Sequence, residues 1–106
     1  MNNKNIIKTI SKIPHSNRTY ILHKPMTIHI RKDSDSGKYI INYPEIKINV
    51  SEDFLNDAIL NFFDKFHILW QHYVGTDNLT LSDSETGLAN KLIDIVKEVK
   101  NKNVNA

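Results

Sequence analysis

The chain has no cysteine, only three glycines and three prolines, and no acidic residue before Asp33. Without cysteine there is no disulfide, no thiolate nucleophile and no zinc–thiolate centre, which suits a reducing compartment. The scarcity of glycine excludes a Gly-rich phosphate loop, and no Gly-x-Ser-x-Gly turn is present. No apolar run approaches the roughly 18 residues of a membrane span, and the N-terminus lacks the apolar core of a secretory signal. The resulting expectation is a soluble cytoplasmic protein with no membrane partner. Its 106 residues suit a single domain.

The missing acids leave a charge asymmetry. Seven basic residues (Lys4, Lys8, Lys12, Arg18, Lys24, Arg31 and Lys32) fill the first third, while all twelve acids follow. Such a distribution points either to an anionic partner or to an acidic surface within the same fold. If nucleic acid is that partner, Lys4, Lys8, Lys12 and Arg18 are the candidate contacts, with weak and non-specific binding expected.

Ile6, Ile7, Ile10 and Ile13 fall at helical spacing ahead of Pro14, which predicts a short helix or an ordered basic arm over residues 1–17. His15-Ser16-Asn17 reads as a turn, Thr19–His23 as a possible strand, and Pro25 as a break or an edge position. Met26, Ile28 and Ile30 alternate with polar residues, as do Tyr39, Ile41 and Tyr43, and then Ile46, Ile48 and Val50. These are three half-buried strands in an antiparallel meander. Gly37 supplies the left-handed position of the turn after Asp33.

Ser51, with Glu52 and Asp53 behind it, reads as the N-cap of a helix ending near Val74 and Gly75. Leu55, Ala58, Ile59, Phe62, Phe63, Phe66, Leu69, Trp70 and Tyr73 form its apolar face. Ser82-Asp83-Ser84-Glu85 is a capping box, opening a second helix with Leu88, Leu92, Ile95 and Val99 on its stripe. The expected architecture is α+β: an antiparallel sheet of three or four strands, a long helix across one face, and a second C-terminal helix. Residues 18–99 form the core and 100–106 a frayed tail.

Catalytic signals are sparse. His67 and His72 are five apart, not the three or four that a zinc pair on one helix needs. His23 and His29 are expected on different strands. Asp64 and His67 can touch on one helix face, but no nucleophile accompanies them. Tyr39 and Tyr43 beside Lys38 and Lys47 loosely suggest a base-stacking sheet. The expectation is therefore no enzyme, no metal and no cofactor. Leu60 and Ile68 stand apart, sitting among Asp57, Asn61, Asp64 and Gln71 on the polar side of the long helix. Together with Trp70 and Tyr73 they are the candidate partner-binding residues. The strand Met26–Arg31 is a candidate open edge.

From Lys24 to Val99 the chain resembles the HicB-type antitoxin family of small β-β-β-α domains with a partial ribonuclease-H-like fold. The resemblance rests on DSDSGKY, Tyr43-Pro44-Glu45-Ile46, Val50-Ser51-Glu52-Asp53-Phe54, Leu55-Asn56-Asp57-Ala58-Ile59 and Leu81-Ser82-Asp83. The chain departs from the family in lacking glycines before the helix and in ending without a C-terminal DNA-binding module. The resemblance implies a non-enzymatic protein-interaction domain, such as an antitoxin that neutralises a small toxin, with a protein partner or a second copy bound. From a different class, the alternative is a small nucleic-acid-binding protein using the basic N-terminal third.

Overall fold

The computed structural model describes residues 5–75 and 81–101. The chain is α+β, with strands β1 (Asn5–His15), β2 (Arg18–Lys32), β3 (Tyr39–Tyr43) and β4 (Ile48–Glu52), helices α1 (Leu55–Tyr73) and α2 (Asp83–Ile95), and strand β5 (Val96–Asn101). The antiparallel sheet runs β1-β2-β3-β4, and β5 also pairs with β2. β2 is the spine. β1 lines one of its edges throughout, while β5 takes Arg18–Leu22 and β3 takes Ile30–Lys32 on the other.

Alternation sorts the sheet into two faces. Tyr20, Leu22, Met26, Ile28 and Ile30 of β2 are buried beneath the helices, together with Ile41, Ile48 and Val50. The opposite face is open and carries Ile7, Lys12, His29, Arg31 and Asn42. α1 packs against β4, β3 and β1, seating Ala58, Phe62, Phe63 and Phe66 in the core. Each such large apolar side chain contributes roughly 1.5–3 kcal/mol on full burial. α2 adds Leu88, Ala89 and Leu92 over β2, β5 and the short 3₁₀ helix Pro44–Ile46.

Several local expectations are corrected. Residues 5–15 form a strand, neither a helix nor an arm, because a register slip at Ser11 turns both Ile10 and Ile13 inward. There, β2 residues Leu22 to Pro25 face Ser11 alone; β2 bulges but does not break at Pro25. The same effect ends the second helix early: Val96 and Val99 belong to β5, where Lys97 is the extra residue between the pairs Leu22–Val96 and Ile21–Glu98. Ser51 is in the β4 ladder opposite Ile40, so α1 starts later, with Phe54 at its N-cap and no side-chain cap. Finally, Met26–Arg31 pairs with β1 along its length, but only Ile30 and Arg31 are paired on both sides, so Met26–His29 keeps one open edge between β5 and β3. β1, β4 and β5 each pair with a single strand. The residues beyond Asn101 lie outside those described.

The turns follow their chemistry. Asp33 Oδ2 accepts from the backbone N–H of Ser36 at 3.0 Å and from its hydroxyl at 2.7 Å, and these bonds hold the exposed carboxyl below its ordinary value. Gly37 closes that turn with φ of 73°. The capping box of α2 is complete: Glu85 N–H donates to Ser82 Oγ, and Ser82 N–H donates to Glu85 Oε1. Among the described residues no helix is long and apolar enough to cross a membrane.

Candidate functional site

Large apolar side chains lie exposed at Ile7, Phe54, Leu60, Ile68 and Ile93 among the described residues, and two places are candidate sites. The first is the outer side of α1. Leu60 and Ile68 are 62% and 55% exposed, and α2 does not cover them. Ile68 borders an open groove of about 350 Å³ beside the start of β4, with Lys47, Ile48, Asn49, Lys65 and Leu69. Trp70 and Tyr73, expected alongside them, are half-buried against the core; the Trp70 ring lies 5.4 Å from that of Tyr20. Sequence spacing thus grouped four residues that the fold divides between an outer and an inner side of α1.

The second place joins the β1–β2 turn to α1. Ser16 holds the two-residue turn with a left-handed φ of 51°, leaving His15 and Arg18 on its two stems. His15 Nε2 and Asp64 Oδ1 are 2.8 Å apart, and the His15 and His67 rings stack at 4.0 Å with a 12° interplanar angle. Tyr20 Oη lies 2.7 Å from His67 Nδ1. Arg18 donates from Nε to Asn101 Oδ1 at 3.2 Å, and its Nη1 makes a long 3.5 Å contact to Tyr20 Oη.

Arg18 has only donors, so Tyr20 Oη accepts from it; a hydroxyl oxygen can accept twice, so the tautomer of His67 decides whether Tyr20 Oη donates to Nδ1 or accepts from it. His15 donates Nε2–H to Asp64. Its Nδ1 is buried without a partner, so the tautomer with a lone pair at Nδ1 leaves no buried N–H unpaired. Burial pushes the His67 pKa below its ordinary value, and the neighbouring His15 and Arg18 push the same way against the weaker pull of Asp64. Burial raises Tyr20, opposed by Arg18.

The stacking limits the chemistry. Imidazoles 4.0 Å apart leave no room for a scissile bond between them, so they do not serve as an acid and a base on opposite sides of a substrate. Among the described residues no group of three His, Asp or Glu side chains is placed to hold a metal.

The remaining candidates are dispersed. Asp64 and His67 do not bond each other; each meets a residue more than forty positions away. His23 and His29 share β2, contrary to the expectation of separate strands. Tyr39 and Tyr43 share the inward row of Ile41, where Tyr43 meets Phe62 edge-on at 6.0 Å, so the open face has no tyrosine platform. Lys8 pairs with Ile28 on the helix-side row, whereas Lys12 pairs with Ile21 on the open face, and Arg18 is tied to Asn101 and Tyr20. Lys4 lies outside the described residues. Sequence reasoning found Asp64 and His67 through their spacing of three but missed His15 and Tyr20, whose part depends on a hairpin folding back onto α1.

Comparison of the chain with protein-family models, with curated proteins and with solved structures returned no match.

Proposed function

We propose that this chain is a non-enzymatic protein-interaction domain, similar in kind to HicB-type antitoxins, which takes its partner on the outer side of α1. The observation that carries this reading is the pair Leu60 and Ile68, two large apolar side chains left uncovered in the middle of a long helix. Single exposed apolar residues are common on protein surfaces. Here Ile68 also borders a groove beside β4, an end strand of the sheet. Apolar anchors next to a free strand edge are what a partner's strand or helix needs in order to dock.

Among the other strands paired on one side only, β1 suits this role less well. β1 is longer, but the slip at Ser11, Pro14 and the charges of Lys8 and Lys12 interrupt it, and these features are known to discourage edge pairing. The resemblance of residues 24–99 to the antitoxin family adds a class of partner, a small toxin. A nucleic-acid role for the basic first third is less well supported, because Lys8, Lys12 and Arg18 do not share a face.

The test is hydrogen exchange on the tagged full chain, free and after capture with a purified partner. The amides of Ile48–Glu52 and the outer side of α1 are expected to gain protection in the complex. Protection confined to the open sheet face, or a chain that stays monomeric and binds no protein, contradicts the proposal.

A further inference from the structure

We infer that the shallow cavity beside the β1–β2 turn binds a tetrahedral dianion of the phosphate or sulfate class. It has a volume of about 270 Å³ and is lined by His15, Asn17, Arg18, His67, Gln71 and Asn101, together with Ser16 of the turn. No carboxylate lines it. The one acid of the neighbourhood, Asp64, is committed to His15 Nε2 at 2.8 Å, and no acid among the described residues forms an ion pair with Arg18.

Arg18 is positioned in advance. Asn101 holds its Nε and Tyr20 its Nη1, so the plane of the guanidinium is set while Nη2 is left for a ligand. A pre-oriented guanidinium loses little side-chain freedom on binding and offers a charge-assisted N–H to an oxygen of a phosphate or sulfate. His67 lines the same cavity, with Nδ1 occupied by Tyr20. The Asn17 and Asn101 side chains bring amide groups from the turn and β5, and His67 brings its ring from α1. Donors converging from three elements suit a tetrahedral ion better than a planar carboxylate.

The charge balance gives the site a pH signature. His67 is held below its ordinary pKa by burial first, and then by His15 and Arg18. A bound dianion offsets the positive charge of Arg18, so binding draws a proton onto His67 and tightens as pH falls. Asp64, which faces His15 across the stack, and Tyr20 are the other titratable groups packed against the pair.

The experiment is a titration of the full chain with sodium sulfate, whose charge is constant over the range used, followed by NMR of the histidine rings and of Arg18. Saturable binding is expected, tighter by at least about threefold near pH 5.5 than near pH 8, across the histidine range. Arg18→Gln should weaken it at least about tenfold, as expected for loss of a charge-assisted pair. Should that variant melt early, Asn17→Asp places an acid at the exposed turn without touching the core and should abolish binding. Lys12→Gln, on the open sheet face, should leave affinity unchanged. Phenyl phosphate and inorganic phosphate should both compete near neutral pH, whereas the monoanionic diester dimethyl phosphate should not; the stronger of the two competitors tells whether an ester-linked or a free phosphate is preferred. Non-saturating shifts, equal binding by Arg18→Gln, an equal loss in Lys12→Gln, or equal competition by the diester would overturn the inference.

Discussion

The inner and outer sides of α1 differ in how far their residues are committed to the fold. The inner side buries Ala58, Phe62, Phe63 and Phe66, each closed in by the sheet. The outer side has Leu60 and Ile68 in solvent, with Asn61 bonded back to Glu52 at 2.7 Å. Between them runs a polar border, Asp64 and His67, which ties the helix to the β1–β2 turn. One helix therefore presents a side that folds the chain, a seam that fixes the helix against β1 and β2, and a side that the fold does not use. Apolar residues on the unused side do not stabilise the isolated chain, so their effect should appear in association and not in stability.

The largest effect is expected on the inner side. Phe62→Ala should destabilise the chain by about 3–5 kcal/mol, because a fully buried ring leaves a cavity between α1 and Tyr43. Urea unfolding measures this, and a loss under about 1 kcal/mol would mean that the inner side is not the core. At the seam, Tyr20→Phe keeps the ring and deletes the bond to His67. It should cost about 0.5–1.5 kcal/mol while leaving far-ultraviolet circular dichroism unchanged.

The seam also sets a pH dependence. The folded pKa of His67 lies below its unfolded value, so the unfolded chain binds more protons between the two. Stability from this group is therefore present above the unfolded value near 6.5 and is lost as pH falls through the folded value. Melting temperature should fall on acidification in that window, and His67→Gln should flatten the change. A smaller effect is expected at Lys47, which sits at a left-handed φ of 58° after the 3₁₀ helix. Lys47→Gly should relieve that strain and stabilise the chain by up to about 1 kcal/mol.

Apolar alternation made the helix-covered face of the sheet legible in the sequence. Met26, Ile28 and Ile30, with Ile41, Ile48 and Val50, all stand where a period of two places them. The capping box at Ser82 and the turn at Gly37 were equally readable, because each is local chemistry. The ends of the chain were misread for one shared reason. Ile10 and Ile13 are spaced by three across a strand irregularity, which imitates a helix. Val99 continues the helical spacing of Leu88, Leu92 and Ile95, although it lies in β5 beyond the irregularity at Lys97. A bulge is set by the partner strand, so nothing within either segment announces it. The histidine seam was only half legible: Asp64 and His67 can be read from one helix, but His15 and Tyr20 arrive from a distant hairpin.

The most direct test of the outer side is Leu60→Asp together with Ile68→Asp, followed by mass in solution and thermal unfolding. Both residues are exposed, so the variant should fold and lose no more than about 1 kcal/mol, as surface substitutions do. It should also lose the complex or self-association that the unaltered chain forms. A variant that unfolds, or one that associates as strongly as the unaltered chain, would contradict the outer side of α1 as the interaction surface.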